Sequence, residues 1–530
     1  MARYAAVDIG SNSVRMEAAE VIPDAPPRIL ASDRQVTRLG ESVFRTGRIS
    51  PESIALVCGV LSNMAAVYKR LDVGAVRAVA TAAVRDASNQ LEFVARASAA
   101  LGNEIEVISG QEEARLIHLG VRSLWPHPKE RFLIVDIGGG SAEIIVSDSD
   151  RIGQAWSKPL GALRLQGLFL PKDPPDPAAL HQLEEYIDER IGPAVQRIGQ
   201  MRIDRVVGTS ATASAVVSAI NRIPRARRDE ADRMRATTSE IRRLYRDVST
   251  MDLRRRQAIT GIGPRRAEII VPGAAVLLRL LESLNMPALY YSAAGVRDGI
   301  IADLAARSSG EMRQLSADQR RVVEAMAEHY GVPMKHAKTA ARLAGSLFAA
   351  FQSAHKLSPQ YGRLLEAGAY LHDVGHYVSD TRHHKHSYYL VSNSDMPGFT
   401  KIEREFVANL CRYHRKALPA AEHANLHSMD AESKRAVMLL MPLLRLADSL
   451  DRSGEQRVKT VQCAVLPNEF RITLIPAAPD TGAPDTGAPD TGAPDTGERS
   501  DVDLEIWAAE QLKDIFQQVY GKSITVIPSP

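Results

Sequence analysis

Apolar positions along the chain follow two regimes. Over roughly the first 300 residues, short β-prone runs alternate with helical patterns. The N-terminal run YAAVDIG reads as a strand, followed by a strand near residues 28–39, a helix from Pro51 to Arg70, a strand from Ala75 to Ala80, a helix from Thr81 through Ala100, and a strand at residues 105–108. LIVDIGGGSAEIIV, at residues 133–146, reads as strand, glycine turn, strand, and RVVGTSATASAV as strand, turn, helix, after a helix over residues 177–200. From residue 314 to about 452 the period becomes wholly helical. Two strands near 458–465 and 470–475, a helix over 507–520 and a last strand over 523–527 then predict a small α/β piece. These patterns divide the chain into α/β segments 1–124 and 125–310, an all-helical segment 311–455 and a small α/β segment 456–530.

The glycine turn is where chemistry enters. Gly138, Gly139 and Gly140 lack Cβ atoms, so several backbone N–H groups can converge on one anion, and the Ser141 hydroxyl adds a donor. Asp136 brings a carboxylate to the same spot. A carboxylate beside a phosphate cradle suits a hydrated Mg²⁺, which takes one or two carboxylates plus substrate phosphates; a glycine-rich hairpin without a ligand is the plain alternative. The pattern occurs twice: YAAVDIGSNSVR carries Asp8, Gly10, Ser11, Asn12 and Ser13 between two strand runs. Duplication predicts two similar halves facing one cleft. Gly208, Thr209 and Ser210 mark a third strand end that hands the chain to a helix N-terminus, a place suited to anions.

Neighbouring carboxylates separate by position. Ser109 reads as an N-cap, so Glu112 falls where a capping box needs it, and Glu113, about 100° further round the helix, is free to face the cleft. An acidic pair serving only the helix dipole is the alternative. Arg85 lies one turn into the helix that begins at Thr81, aimed at what that N-terminus faces or paired with Asp86 or Glu92.

Composition narrows the classes. At 530 residues, 45% hydrophobic and 24% charged, the chain is too long for one core and ordinary for a soluble protein. It has no uninterrupted run of 18 apolar residues, which leaves a cytoplasmic protein without a membrane segment as the expectation. Cys58, Cys411 and Cys463 form no CxxC, so neither a zinc site nor a disulfide framework is indicated. Net charge is only +3, yet arginines cluster over residues 222–266 with Tyr245 the sole aromatic among them. That stripe suits a phosphate polymer better than a specific nucleic acid.

Four motifs in order, DIGSNSVR, ATAAVRDA, ISGQEEARLI and DIGGGSAE, resemble the exopolyphosphatase and guanosine pentaphosphate phosphatase family, within the actin-like (ribonuclease H-like) two-lobed ATPase superfamily. The resemblance implies that Glu113 is the base that activates water, with Arg85 at the phosphate. Asp8, Asp136 and Glu143 would lie at Mg²⁺, and the turns at Gly10–Ser13, Gly138–Ser141 and Gly208–Ser210, with Arg297 after Gly295, would hold phosphates. Where the family shows a second glycine, this chain has Ala211, and alanine resists positive φ. The implied reaction is release of the terminal phosphate from inorganic polyphosphate, with guanosine pentaphosphate as the alternative substrate, K⁺ as a further ion and a homodimer as the working form. A nucleotide-dependent kinase or chaperone ATPase, and a non-catalytic polyphosphate or nucleotide sensor, are the competing classes.

The helical segment gathers most of the histidines. His336, the pair His372-Asp373 and Asp448 follow the order of the HD metal-dependent phosphohydrolase bundle, a resemblance that implies a divalent metal there; His383, His384, His386 and His414 could extend it to two. A phosphate-binding or structural cluster is the other reading. Four APDTG units at residues 478–497 read as a mobile loop.

Overall fold

The computed structural model describes residues 2–22, 25–125, 130–148, 151–308, 314–477 and 502–529. The APDTG units lie outside them. The chain forms two compact units, residues 1–308 and 309–530.

The first unit contains two mixed sheets built to one plan. The first comprises β1 (Ala2–Ile9), β2 (Ser13–Val21), β3 (Arg28–Val36), β4 (Ala75–Ala80) and β5 (Ile105–Val107), in the order β3-β2-β1-β4-β5. The second comprises β6 (Arg131–Ile137), β7 (Ala142–Asp148), β8 (Arg151–Lys158), β9 (Arg205–Thr209), β10 (Arg235–Thr237) and β11 (Ala288–Tyr291). Its order β10-β11-β9-β6-β7-β8 repeats the first, with one added edge strand. In both, an antiparallel hairpin meets a parallel strand: β1 pairs with β2 and β4, and β6 with β7 and β9. This is the actin-like duplication expected from the paired turns. β1 and β6 are central strands, covered on both faces, and therefore read as nearly continuous apolar runs, whereas the charge-rich β3 lies at an edge.

Helices cover both sheets. The helix Pro51–Arg70 starts at the N-cap Ser50 with proline in its first turn. It is long and apolar enough by composition to cross a bilayer, and in this fold Ile54, Val57, Leu61, Met64 and Tyr68 are buried in the core of the first sheet. The helix expected from Thr81 through Ala100 is two, Ala82–Asp86 and Gln90–Leu101, separated where the Asn89 side chain bonds the backbone of Ile49. A further helix, Leu39–Thr46, was not legible in the apolar pattern.

The helix Gly110–Leu124 runs between the sheets. Leu116 packs with Ala6 and Val79 of the first, while Ala114, Ile117 and Val121 pack with Phe132, Ile145 and Val207 of the second. The expected boundary between segments 1–124 and 125–310 is therefore incomplete: helix Val296–Ser308 returns to the first lobe, where Ile300 and Ile301 join the Leu116 cluster. Its approach depends on glycine, because a Cβ on Gly299 would stand 1.8 Å from Leu116 O. Gly299→Ala is expected to destabilise this unit by about 1–3 kcal/mol or more through overpacking, read as a lower denaturant midpoint.

In the second unit, helices from Ala317–His329 to Ala431–Ser449 share one core with a small sheet of β12 (Val458–Val465), β13 (Glu469–Pro476) and β14 (Ser523–Pro528). Segments 311–455 and 456–530, expected as separate domains, are thus one body. Phe351 from the helical part stacks 4.7 Å from Phe470 of the sheet, and the expected helix 507–520 is two, Asp503–Glu510 and Lys513–Tyr520.

Candidate active site

The duplicated hairpins make matching turns. Gly10 N–H donates to Ser13 O at 3.1 Å, and Gly138 N–H donates to Ser141 O at 3.0 Å. The turns approach each other closely: a Cβ on Gly139 would stand 3.1 Å from Asn12, and one on Gly140 2.5 Å from Ser11 Oγ. The glycines of the second turn therefore serve packing as well as anion access. Helix Ala162–Phe169 holds that turn from behind, its Ala162 and Leu163 N–H groups donating to Gly138 O and Gly139 O.

Between the turns lies a cavity of about 90 Å³. Asp8, Gly10, Ser11, Asn12, Ser13, Glu113, Asp136, Gly138, Gly139, Gly140, Ser141, Thr209, Ser210 and Arg297 all line it. Sequence reasoning placed three further residues here that stand apart. Gly208 lies within β9, where a Cβ would meet Ala213 at 2.8 Å and Leu289 at 3.0 Å, so it is a packing glycine. Glu143, the cross-strand partner of Asp136, does not line the cavity, and Ser157 Oγ donates to its Oε1 at 2.8 Å. Arg85 does not line the cavity but lies beside Glu113 and donates through Nη1 to Ile108 O at 2.7 Å, while Asp86, its alternative partner, is taken by Arg164. Positive φ at the third turn falls on Ser210 (63°), not on Ala211, which lies inside the following helix.

The two adjacent glutamates divide as their positions suggested. Ser109 Oγ accepts from Glu112 N–H at 3.1 Å, so Ser109 caps the helix as expected, while the Glu112 carboxylate is held by arginines in place of the expected capping box. Arg115 donates to it at 2.7 and 2.8 Å and Arg77 at 3.0 Å, and both arginines also bind Asp303. Glu113 turns the other way. Its Oε2 is buried with no hydrogen-bond partner, and the nearest positive group, Arg85 Nη1, is 3.6 Å away. Burial, with Glu143 close by, raises the Glu113 carboxyl well above its ordinary range against the pull of Arg85.

The surrounding carboxylates share that strain. Burial pushes Asp136 up to about 6 and, with Asp136 adding to it, Glu143 up to about 7; burial also raises Asp8, opposed by Arg15 and Arg297. Buried carboxylates gathered beside one cavity fit a divalent cation there, Asp8 and Asp136 at the cavity wall and Glu143 next to Asp136.

A second, wider space of about 800 Å³ opens off this cavity, sharing Asn12, Arg15, Ser210, Arg266 and Arg297 with it. Arg15, Arg34, Arg225, Arg228, Arg265, Arg266 and Arg297 line it against Glu17, Asp229 and Asp298. Burial and mutual repulsion push Arg34 down to about 9 and Arg266 down to about 10. The arginine stripe thus divides: Arg225, Arg228, Arg265 and Arg266 line the cavity, while Arg227, Arg242 and Arg256 are paired with Glu230, Glu282 and Asp173. Arg15 was missed in the sequence, although it occupies opposite Asp8 the register that Glu143 occupies opposite Asp136.

In the second unit His336, His372, Asp373 and Asp448 come together, with His372 Nε2 3.5 Å from a carboxylate oxygen of each aspartate. His383 and His414 join them through Asp373.

Residues 18–308 match the Ppx/GppA phosphatase family, and residues 319–479 match domain III of Ppx/GppA phosphatases. A guanosine-5′-triphosphate,3′-diphosphate pyrophosphatase of Photobacterium profundum is 27% identical over 482 residues, 90% of this chain and 92% of that one. Its namesake from Vibrio parahaemolyticus is 27% identical over 83% of this chain and 86% of its own. The crystal structure of the Aquifex aeolicus Ppx/GppA family member, 26% identical, aligns with TM-score 0.52 over 58% of this chain and 98% of that one. An exopolyphosphatase from Cytophaga hutchinsonii, 24% identical, shares the fold with TM-score 0.54 over 57% of this chain and 97% of that one.

Proposed function

The chain belongs to the Ppx/GppA phosphatase family and is a phosphoanhydride hydrolase; on that premise we propose that it removes the terminal 5′-phosphate of guanosine 5′-triphosphate 3′-diphosphate. The observation that carries this reading is the arginine-lined space of about 800 Å³ beside the catalytic cavity. A linear phosphate polymer needs a charged track, whereas a nucleotide with phosphates at both ends also needs a chamber for its nucleoside. Pockets that enclose small molecules measure about 300–1,000 Å³. The names of the relatives that align along most of their length support the same choice.

In this reading Glu113 orients a water molecule and takes its proton as the water oxygen bonds to the terminal phosphorus. The bond from that phosphorus to the bridging oxygen breaks, and the nucleoside 5′-diphosphate 3′-diphosphate leaves. Backbone N–H groups of the two turns stabilise charge on the phosphoryl oxygens, where preorganised donors act most strongly. Arg85 holds the Glu113 side chain in place. Asp8 and Asp136 would hold Mg²⁺, which when bound neutralises phosphate charge.

Arg225 and Arg265 are assigned to the substrate's far phosphates. Arg225→Ala and Arg265→Ala are each expected to raise KM for guanosine pentaphosphate about tenfold or more with kcat little changed, since a charge-assisted hydrogen bond contributes about 1.5–3 kcal/mol. For GTP, which lacks the 3′-diphosphate, the same substitutions are expected to change KM much less. Equal effects on both substrates would contradict the assignment.

A further inference from the structure

Carbonyls of the two glycine turns are held from outside the cavity, and the turns differ in what holds them. In the first, Ser11 O accepts from Gly40 N–H at 2.7 Å, and Asn12 O accepts from the N–H groups of Thr37 and Arg38 at 3.2 and 3.1 Å. In the second, Gly138 O accepts from Ala162 N–H and Gly139 O from Leu163 and Arg164 N–H, each at 3.0 Å. Gly140 O holds the place of Asn12 O, since Gly10 matches Gly138 and Ser13 matches Ser141. It accepts from a side chain instead: Arg164 Nε donates to it at 2.8 Å. Where the first half uses backbone, the second depends on one guanidinium.

That carbonyl decides where the next N–H points. In a planar trans peptide the C=O and the following N–H lie antiparallel, so a Gly140 carbonyl turned toward Arg164 turns Ser141 N–H the other way. Gly140 and Ser141 line the cavity and Arg164 does not, so this N–H is delivered to the phosphate side. The same rule sends Gly139 and Gly140 N–H inward, opposite the carbonyls that the helix Ala162–Phe169 holds. Among the described residues, none of these three N–H groups donates to a backbone carbonyl. Three donors are left for a phosphoryl group, and the one at Ser141 is aimed by a side chain.

Arg164 also crosses to the first lobe. Its Nη2 donates to Asp86 Oδ2 at 2.5 Å, and its guanidinium carbon stands 3.9 Å over the Phe44 ring, within cation–π range. Asp86 ends the helix Ala82–Asp86, in which Ala83 N–H donates to Ser11 Oγ at 3.2 Å and Arg85 Nη1 lies 3.6 Å from Glu113 Oε2. One planar group therefore joins the second turn to the helix that touches both the first turn and the general base. We propose that Arg164 is a positioning residue for the hydrolysis: through the Gly140 carbonyl it aims Ser141 N–H at the phosphoryl oxygens, and through Asp86 it locks the second turn to the Glu113 side of the cavity. This role rests on the two turns holding the scissile phosphate, and not on which substrate carries it. Lysine cannot fill it, because an ammonium lacks the rigid fork that reaches both acceptors.

The test is steady-state phosphate release from guanosine pentaphosphate and from polyphosphate by full-length Arg164→Ala, Arg164→Lys and Asp86→Ala chains of normal circular dichroism. Arg164→Ala is expected to lower kcat about 10–100-fold on either substrate with KM within about threefold, since a misaimed donor costs turnover more than ground-state binding. Arg164→Lys keeps the charge and should still lose about tenfold or more in kcat. Asp86→Ala should lose less than Arg164→Ala, because the Gly140 carbonyl keeps its donor. Guanidinium added below its denaturing range should restore kcat of Arg164→Ala severalfold and leave Arg164→Lys unrescued, a response that a merely structural arginine would not give. Unchanged kcat in Arg164→Ala, full activity in Arg164→Lys, a loss confined to KM, or no rescue by guanidinium would overturn the proposal. Should the unsubstituted chain prefer the polymer, the nucleotide reading falls, and the same ratios measured on polyphosphate decide the role of Arg164.

Discussion

Glu113→Gln is expected to lower kcat by about 10² to 10⁴, the usual worth of a positioned general base, while leaving substrate affinity within a few-fold of its original value. Glutamine keeps the volume and the helix, so the turns that grip phosphate stay in place. What it loses is the proton acceptor. Glu113 lines the cavity between the two glycine turns, and its Oε2 is buried without a hydrogen-bond partner, 3.6 Å from Arg85 Nη1. Measuring kcat beside the dissociation constant of guanosine pentaphosphate separates the outcomes: equal loss in both would make Glu113 a structural residue, and unchanged turnover would remove it from the chemistry.

The second large effect concerns the joint between the lobes. Asp303→Ala is expected to destabilise the chain by about 3–5 kcal/mol, because it leaves buried arginine charge uncompensated. Asp303, on the returning helix, accepts from Arg77 of β4 at 2.9 Å and from Arg115 at 3.0 Å, and these arginines also hold Glu112. Burial opposes ionisation of Asp303, but Arg115, Arg307 and Arg77 outweigh it and hold the carboxyl well below the ordinary carboxylate range; Arg115 and Arg77 also lower Glu112 against its burial. Both folded pKa values are depressed, so this stabilisation is fully present above the unfolded carboxylate range and is lost as pH falls through the folded values. Unfolding midpoints measured from pH 7 downwards should therefore converge for the unsubstituted chain and the variant in acid. A constant gap would assign the loss to packing alone.

Much of this was legible because local chemistry announced itself. Asp8 and Asp136 end apolar strands and precede glycine turns, a pattern that survives any detail of packing, and the Ser109 cap separated Glu112 from Glu113 by helical geometry alone. What stayed hidden depended on long-range contact. Gly208 looked like a phosphate glycine, yet its neighbours are Ala213 and Leu289, and only the folded sheet supplies the second. Arg15 became visible as a site residue only when the register set it opposite Asp8. The return of helix Val296–Ser308 to the first lobe carries no periodic signal, since its moderately apolar pattern suits either lobe. His376 reads as an ordinary helix-end residue until the fold brings Asp373 and His383 beside it.

Preference for the nucleotide is tested by phosphate release from guanosine pentaphosphate and from long-chain polyphosphate under identical conditions with Mg²⁺. The expected kcat/KM is at least tenfold higher for the nucleotide, with Glu113→Gln lowering both activities by about 10² to 10⁴. A preference for the polymer of similar size, carried by the same arginine-lined cavity, would contradict it.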